Sequence, residues 1–416
     1  MLHKPSYLFV TIEGGGNTAP VLGVARKLHV QGCRVDVLSE PCMEEVVKSA
    51  GLGFIPFKEY FTRTDMAEDV FHDWKPSSPL KDPVIDRVVL GPVALVAEAT
   101  FQALQQTNAD VVVADCLLPG ALIAAEKMNK KSIVLFQMPE YFPGSNRPPG
   151  MFGLLPGKGI IGRLRDGVLG RAFHMVLNAY LSRINDFRQG WGLAKIKRTI
   201  DLFYHADLRV IQTLRDFDFP LDPAPANVRY SGPVLDDPDW VGNGSMPWLQ
   251  DDGKPLVVVS LSSTFQNQSK VIQKAIQALD GMDVRGLVTL GPAILDNGYD
   301  VPEHVHVVKT APHSIIFPKA ALVITHAGHG TVMRALANGI PLVCTPMGRD
   351  QNDNAAKVAW HGCGVRVGSK ASPEKIKQAA LRVLHNPEFK QNAQRFQHAI
   401  KENAEKDPIM EVLKEI

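Results

Sequence analysis

The sequence contains few cysteines, and their positions exclude two common kinds of structural reinforcement. Only five of the 416 residues are cysteine, which is an odd number. They are scattered along the chain without a CxxC pair, at Cys33, Cys42, Cys116, Cys344 and Cys363. Neither a disulfide framework nor a zinc site fits this pattern. We expect reduced, mostly buried thiols of an intracellular protein.

A charge excess and targeting segments are also lacking. The chain has 45 basic and 43 acidic residues, a net charge of +2 and no long run of one sign, so nucleic acid is not expected as a partner. The amino-terminal MLHKPSYLFVTIEGGG has too short an apolar run for a signal peptide. No later stretch is predicted to span a bilayer, and no short-period repeat is visible. We therefore predict a soluble, cytoplasmic protein.

The hydrophobic content points to two domains. At 45% hydrophobic over 416 residues, the chain can bury a large core. Strand and helix patterns alternate over residues 1–215, and the alternation restarts after a linker rich in Pro, Asp and Gly, 216–253. The second domain is predicted at 254–395, and a helical tail, 396–416, is expected to pack back on the first. The predicted class is α/β, with two doubly wound, Rossmann-like domains facing each other across a cleft.

One stretch of the second domain, residues 322–351, has the features of an anion site. A buried strand is predicted at 322–324, a turn of small residues at 326–331, and a helix at 332–338. The free N–H groups and the positive end of such a helix face the turn, which favours a diphosphate. The pair Asp350-Gln351 follows the next strand, so its polar side chains should lie at the same sheet edge. An anion site beside a hydroxyl-binding pair predicts a nucleotide-sugar.

The loop after the first predicted strand suggests a different ligand. Gly14-x-Gly16-x-x-Ala19 matches the dinucleotide-binding fingerprint, and Glu40 follows at about the expected distance. We regard this match as weak because Pro20 stiffens the turn and Glu40 falls past its strand.

Three other parts of the first domain are candidates for ligand binding. Asp115 ends the predicted strand 110–115 at the carboxyl edge, where ligand sites of α/β proteins lie. Residues 138–156 are rich in Pro and Gly and predict a long loop that acts as a lid or a binding wall. Residues 160–191 mix arginines with apolar residues at helical spacing. We favour amphipathic helices covering an apolar pocket, and the alternative is a basic, apolar face that touches a membrane.

The linker contains two D-x-D triplets, Asp216-Phe217-Asp218 and Asp237-Pro238-Asp239. Such pairs can hold Mg²⁺ on a sugar nucleotide. In a proline-rich linker they are more often turn and cap residues, so no metal site is predicted.

The second-domain stretch carries a family resemblance. THAGHGTVMRALANGIPLVCTPMGRDQNDNAAKVAWHGCGVRV resembles the donor-binding region of family 1 glycosyltransferases of the GT-B fold, particularly bacterial enzymes that modify natural products and lipids. LFVTIEGGGNTAPVLGVARKL resembles the family's first strand, loop and helix, and DVVVADCLLPGALIAAEKM its acceptor-side strand and helix. NVRYSGPV resembles the entry to the linker, and VVVSLSST the start of the second domain.

The resemblance implies a set of donor-binding residues. His326 would bind the diphosphate, with close backbone approach at Gly328 and Gly330 and a hydroxyl from Thr331. The other implied donor-binding residues are Ser263 for a phosphate, Ala311 and His313 for the nucleobase, and Asp350 and Gln351 for the sugar hydroxyls. His329 is expected to fill the helix start or to face solvent, without a role.

The first departure from the family pattern concerns the catalytic base. The family's base, usually His and sometimes Asp, corresponds to Asn17, and an amide cannot accept a proton at neutral pH. Asp115 matches the carboxylate that orients the base. Asp115 and Glu13 therefore remain the candidates for deprotonating the acceptor, with Asn17 orienting it. Two alternatives stay open at this position. Asn17 could be a turn residue that tolerates a positive φ. The acceptor could also be acidic enough to react when it is only positioned, without a base.

Two further departures concern the nucleoside. Many relatives hold the ribose with a Glu at the position of Arg334, and an aromatic residue that stacks on uracil in plant members is replaced by Thr310. A TDP-sugar is therefore as plausible as a UDP-sugar.

The implied activity is an inverting, metal-independent transfer of a sugar from a UDP- or TDP-sugar to a hydrophobic small-molecule or lipid acceptor. No cofactor is expected. Two alternatives stay open: a nucleotide-sugar epimerase of the same fold, and a catalytically silent partner protein.

Overall fold

The computed structural model describes residues 4–66, 68, 83–144, 147–220, 224–237, 246, 249–250, 252–262, 264–291, 294 and 298–416. Ser263, a predicted donor-binding residue, lies outside the described residues, as do Pro238 and Asp239 of the second D-x-D triplet.

The described part of the first half forms a seven-stranded parallel sheet. Its strands are β1 (Tyr7–Val10), β2 (Val35–Ser39), β3 (Gly53–Pro56), β4 (Val111–Asp115), β5 (Lys131–Phe136), β6 (Leu208–Ile211) and β7 (Val228–Tyr230). They lie in the order β3-β2-β1-β4-β5-β6-β7, and each neighbouring pair is parallel. All residues of β1 and β4 are buried, because helices cover both faces of the sheet.

The helices of this half are α1 (Thr18–Val30), α2 (Glu44–Ser49), α3 (Val93–Thr107), α4 (Gly120–Lys127), α5 (Gly159–Asn178), α6 (Leu181–Gly190) and α7 (Asp201–Tyr204). The sequence analysis did not identify α3. Its sequence, VALVAEATFQALQQT, is apolar on most sides, and this weakens the 3.6-residue periodicity by which a helix is recognised.

The second half repeats the architecture with a six-stranded parallel sheet among the described residues. Its strands are β8 (Leu256–Ser260), β9 (Arg285–Thr289), β10 (Val305–Val308), β11 (Ala320–Thr325), β12 (Leu342–Cys344) and β13 (Gly364–Arg366). The strand order is β10-β9-β8-β11-β12-β13. The helices are α8 (Ser269–Leu279), α9 (His313–Ile316), α10 (His329–Ala337), α11 (Gln351–Trp360), α12 (Pro373–His385), α13 (Pro387–Glu405) and α14 (Pro408–Leu413).

The strand order reverses once in each sheet, between β1 and β4 and between β8 and β11. At such a point, the loops after two neighbouring strands run to opposite faces of the sheet. A crevice forms between these loops at the carboxyl ends of the strands, and ligands of open α/β sheets bind there. The predicted fold of two doubly wound α/β domains is confirmed. The loop with Glu13 and Asn17 and the turn with His326 each lie at one of these points.

The structure differs from the predicted segment limits at two places. β7 lies inside the segment predicted as the linker, and it pairs with β6, so the first sheet extends to Tyr230. The limit at 395 falls inside α13, which runs without a break into the tail. The last helix, α14, buries Ile409, Met410 and Leu413 in the first-domain core that also contains Val21.

One segment is long and apolar enough to cross a membrane by length and composition, contrary to the sequence-based expectation. This segment, Ile85–Thr107, includes α3, and half of its most apolar window is buried inside the protein. Ala97 and Leu104 are fully buried in the first-domain core, and α3 packs against α4. A core helix has the same length and composition, so the segment is weak evidence for membrane insertion.

Candidate active site between the two domains

A cavity opens between the carboxyl ends of the two sheets. Its volume is about 310 Å³, at the lower end of the range for small-molecule sites, about 300–1,000 Å³. The first domain contributes the loops after β1, β4 and β5 and one face of α5, and the second contributes the loops after β8, β10, β11 and β12. Ten of the predicted site residues line it: Glu13, Asn17, Ala311, His313, His326, Gly328, Gly330, Thr331, Asp350 and Gln351.

Asp115 does not line the cavity. Its carboxylate is fully buried behind Asn17, where Oδ2 accepts hydrogen bonds from Asn17 Nδ2 at 2.6 Å and Thr11 Oγ1 at 2.9 Å. Oδ1 accepts one from the Leu117 N–H at 2.9 Å. Burial raises the pKa of this carboxyl, and the three donors oppose the rise. The geometry is that of a group that orients its neighbour.

Asn17 has most of its amide committed to the protein. Nδ2 also donates to the Ile12 carbonyl at 2.9 Å, and Oδ1 accepts the Gly14 N–H at 3.0 Å. One lone pair of Oδ1 remains for a ligand hydroxyl. Asn17 has a φ of −93°, so the proposed role of a turn residue at positive φ is wrong.

Glu13 is the carboxylate that the described first-domain residues present to the cavity. Its Oε1 accepts the Gly15 N–H at 2.6 Å. Burial raises the pKa of the Glu13 carboxyl, while hydrogen bonds from Thr18 and Gly15 and the charge of Arg63 lower it in part. A carboxylate whose pKa is raised is a stronger base at neutral pH than an ordinary one.

Glu40 has a structural role that explains the apparent dinucleotide fingerprint. It is fully buried, accepts the Glu13 N–H at 2.9 Å and accepts Arg63 Nε at 2.7 Å. Arg63 also donates to the Glu13 carbonyl. Glu40 and Arg63 therefore hold the loop that carries Glu13, and Glu40 does not line the cavity.

The first-domain end of the cavity is apolar. Its walls include Val88, Leu90, Met138, Phe142, Phe173, Leu177 and Phe203. Met138, Tyr141, Phe142 and Met151 come from the segment predicted as a lid or wall, 138–156, whose described residues form a loop. A small, largely apolar ligand fits this lining.

The turn after β11 holds His326 as a neutral imidazole. Burial, followed by the charge of Arg349, lowers the pKa of His326 to about 3. Ala327 has φ +68°, a left-handed conformation that is unusual for a residue with a side chain, and such outliers cluster at ligand sites. A Cβ at Gly328 would lie 2.4 Å from His326 Nε2, so only glycine leaves the imidazole in place.

The helix after this turn begins earlier than predicted. α10 starts at His329 with Gly328 as its N-cap residue, so Gly330 and Thr331 lie in its first turn. The N–H groups of this turn have no partner within the helix, and the helix dipole is positive here. His329 is buried, lines the cavity, and its Nε2 lies 3.2 Å from the Gln212 carbonyl of the first domain. It thus faces the cleft and not the solvent.

Asp350 and Gln351 are placed side by side at the start of α11. Burial raises the pKa of Asp350 to about 6, although Asn354 Nδ2 donates to its Oδ2 at 2.8 Å. Gln351 Oε1 accepts the Met347 N–H at 2.9 Å. Asn354 Nδ2 also donates to the Ala327 carbonyl at 3.0 Å, which ties the start of α11 to the turn after β11.

Sequence reasoning missed the rest of this helix face. Asp353, Asn354 and Lys357 also line the cavity, at the i+3, i+4 and i+7 positions from Asp350. Asp353 Oδ1 accepts the Gly153 N–H at 2.8 Å, and Oδ2 accepts the Met151 N–H. These two bonds connect α11 to the first-domain loop 138–156 across the cleft. Helical spacing from Asp350 is the signal that identifies these residues. The helix itself was missed because Asn352, Asp353 and Asn354 have low helix propensity.

The second-domain part of the cavity also contains a carboxylate that the sequence analysis did not predict. Asp237, from the predicted linker, lines the cavity and accepts the Ser314 N–H at 3.2 Å, beside His313. Arg334 donates to the Asp236 carbonyl, and its Nε lies 3.9 Å from Asp237 Oδ1. His313 stacks on Phe317 at 4.3 Å and contacts Ser260 Oγ at 3.2 Å, and burial lowers its pKa to about 3.

In the first D-x-D triplet, one carboxylate is held by groups of the protein. Asp218 is buried and is bound by Glu140 N–H at 3.0 Å, Tyr230 Oη at 2.9 Å and the Arg147 guanidinium at 3.2 Å. Asp216 is exposed. In the parts of the chain that are described, no group of three His, Cys, Asp or Glu side chains converges on a common point.

Solved structures share this two-domain architecture. The calicheamicin glycosyltransferase CalG4 superposes with a TM-score of 0.74 at 18% identity over 100% of both chains. The Streptomyces sp. SF2575 glycosyltransferase SsfS6, complexed with thymidine diphosphate, gives a TM-score of 0.64 at 17% identity, covering 98% of this chain and 99% of that one. The fold is therefore GT-B, the architecture of a two-domain glycosyltransferase.

Sequence comparison gives the family. Residues 92–409 match the family described as UDP-glucoronosyl and UDP-glucosyl transferase, and the chain belongs to this family. 4'-Demethylrebeccamycin synthase of Lentzea aerocolonigenes is 26% identical over 98% of this chain and 97% of its own length. The protein is thus an enzyme, a family 1 glycosyltransferase.

Proposed function

We propose that the enzyme is an inverting, metal-independent glycosyltransferase that moves a sugar from a UDP- or TDP-sugar to a hydrophobic small-molecule or lipid acceptor, such as a natural product. The observation that carries this proposal is the cavity whose lining comes from both domains. An apolar first-domain end faces an anion-binding helix start and the Asp350-Gln351 pair. The five cysteines are free, as expected for a reducing compartment, and we infer a cytoplasmic enzyme.

The donor would bind along the second domain. The diphosphate would lie against the start of α10, where the N–H groups, Thr331 and His326 donate to its oxygens. The sugar hydroxyls would donate to Asp350 and bind the Gln351 amide. Asp350 accepts best when ionised, so donor affinity should fall as the pH drops below about 6, its raised pKa.

The acceptor nucleophile would attack the anomeric carbon from the first-domain side. The bond between that carbon and the diphosphate oxygen breaks as the new bond forms, which inverts the configuration. The acceptor proton would pass to Glu13, while Asn17, held by Asp115, orients the acceptor. The negative charge on the departing diphosphate would be stabilised by the α10 donors.

The nucleoside would lie beside Ala311 and His313, and its ribose would contact Asp237. Where relatives use a Glu, this chain has Arg334, and the linker brings a carboxylate to the same place.

We expect Asp237→Asn to weaken UDP binding roughly tenfold, the scale of a lost hydrogen bond to a charged group. Calorimetric titration with UDP measures this, with the adjacent, exposed Asp236→Asn as a matched control. UDP affinity equal to the wild type in Asp237→Asn would remove Asp237 from the site.

The direct test of the function combines turnover with nucleotide binding. Purified enzyme is given UDP- and TDP-sugars alone and with a panel of phenolic acceptors, and nucleotide diphosphate release is measured. We expect release that depends on the acceptor, together with a rise in melting temperature with UDP or TDP. Isomerised donor without acceptor would favour the epimerase alternative. Neither turnover nor a thermal shift would contradict both enzyme hypotheses and favour a silent partner protein.

A further inference from the structure

One helix of the first domain exposes a stripe of large apolar side chains. On α5, Ile160, Ile161, Leu164, Val168 and Met175 are between 53% and 87% exposed. Their spacing of about one or two helical turns puts them on one side of the helix. They are five of the twelve exposed large hydrophobic residues in the described part of the chain. Scattered exposed hydrophobic residues are ordinary, whereas a contiguous patch marks an interaction surface.

The exposed side of α5 is also cationic. Lys158, Arg163 and Arg171 are exposed on or beside the stripe. The only acidic residue between 158 and 178, a range that is described in full, is Asp166. Asp166 is buried and accepts the Gly157 N–H at 2.7 Å and Arg165 Nε at 2.9 Å. No carboxylate of α5 therefore offsets the three surface cations.

The opposite side of the same helix forms part of the cavity. Phe173 and Leu177 are buried and line its apolar end. α5 thus separates the acceptor end of the cavity from the exposed apolar stripe. Met175, at the same level of the helix as Phe173 and Leu177, lies across α5 from the cavity at one helix diameter, about 10 Å, and the rest of the stripe extends about 20 Å along the helix from there.

We propose that α5 binds the surface of an anionic lipid bilayer, with its apolar stripe in the interfacial region and its cations among the lipid head groups. Apolar side chains flanked by Lys and Arg are the composition of helices that lie in a membrane surface. A second copy of this chain is a poorer occupant. A two-fold contact through this face would bring the three cations of each copy together. The surface would hold the acceptor end of the cavity beside the bilayer, where a lipid-soluble acceptor is concentrated.

Vesicle co-sedimentation of the full chain tests the proposal without donor or acceptor, so the result is independent of the proposed activity. The wild type should bind vesicles of phosphatidylcholine and phosphatidylglycerol in equal amounts, and bind pure phosphatidylcholine weakly. Ile160→Ser, Ile161→Ser and Leu164→Ser together should reduce binding more than tenfold. Arg163→Glu with Arg171→Glu should reduce it at least about tenfold, and salt should weaken wild-type binding.

Matched controls separate this surface from general hydrophobicity and charge. Val30→Ser removes an equally exposed apolar side chain on α1, and Lys390→Glu with Lys401→Glu reverses two exposed cations on α13. Both control variants should bind vesicles like the wild type. Melting curves with and without UDP or TDP show that every variant is folded, since exposed substitutions change stability little. Absent vesicle binding, unchanged binding by the α5 variants, or self-association through α5 without vesicle binding would each overturn the proposal.

Discussion

Glu13→Gln is expected to lower kcat by about 10²–10⁴-fold, the usual contribution of general base catalysis, with donor affinity close to that of the wild type. Gln keeps the size of the side chain and can still accept the Gly15 N–H that Glu13 accepts at 2.6 Å. It cannot take a proton. The substitution therefore removes the proposed chemistry and leaves the loop in place.

The positions of the three predicted catalytic residues favour Glu13 over Asp115 as the base, with Asn17 as the orienting residue. Glu13 lines the cavity, whereas the Asp115 carboxylate is fully buried behind Asn17. Asn17 reaches the cavity but carries no proton-accepting group. We still expect Asp115→Asn to reduce activity at least as severely as Asn17→Ala. The Asp115 carboxylate accepts on both oxygens, whereas an amide at 115 accepts on one only, so its NH2 group would oppose either the Leu117 N–H or the Asn17 Nδ2 and Thr11 Oγ1 donors.

The pH dependence of kcat distinguishes a base from a positioning group. Glu13 must be ionised to accept a proton, and burial raises its pKa above the usual carboxyl value. At saturating donor, kcat should therefore fall with decreasing pH at a higher pH than an ordinary carboxyl would give. This acid limb should disappear in Glu13→Gln and persist, at lower rate, in Asp115→Asn. Saturating donor keeps the ionisation of Asp350 out of the measurement.

The test measures steady-state kinetics of Glu13→Gln, Asp115→Asn and Asn17→Ala over a pH series. The exposed Glu45→Gln of α2 is a charge-matched control. Glu45→Gln should behave like the wild type. If Glu13→Gln retains wild-type kcat and Asn17→Ala is inactive, positioning by the amide is sufficient and Glu13 serves only the loop.

His326→Ala should cost about 2–4 kcal/mol of transition-state stabilisation, the scale of a lost oxyanion-hole donor, or roughly 30- to 900-fold in kcat. The imidazole lies in the cavity at the turn before α10, and it packs so closely on Gly328 that a side chain at position 328 would collide with it. In the donor-bound state its N–H would face the diphosphate oxygen on which charge grows. The loss should appear in kcat more than in donor KM, because that charge is largest in the transition state.

Measurement of kcat and KM with the preferred donor checks this prediction. The pKa of His326 is lowered to about 3, so the acid limb of kcat should keep its position in the variant. His306→Ala, on the exposed side of β10, is the matched control and should retain full activity. A folded His326→Ala enzyme with wild-type turnover would remove His326 from the mechanism.

The parts of the site that sequence reasoning found are those made by contiguous residues. The diphosphate turn, the Asp350-Gln351 pair and the Glu13 to Asn17 loop each follow a buried strand directly. Parallel strands bring all such loops to one edge. The doubly wound order then places the turn with His326 and the Glu13 to Asn17 loop at the reversal points of the two sheets.

Residues that reach the cavity from elsewhere could not be predicted this way. Asp237 comes from the linker and meets Arg334 about a hundred residues later, and Asp353 binds backbone N–H groups about two hundred residues earlier. No local pattern encodes such distances, because they depend on how two complete domains pack.

By itself the sequence determined a fold of two α/β domains and predicted an anion site in the second, since strand periodicity and turn chemistry are local. The tertiary structure decided which predicted groups face the cavity: Glu13 does, and Asp115 does not. It also decided that the apolar stripe of α5 faces outward. Periodicity specifies that a helix has an apolar side, but only the packing of its neighbours determines whether that side is covered.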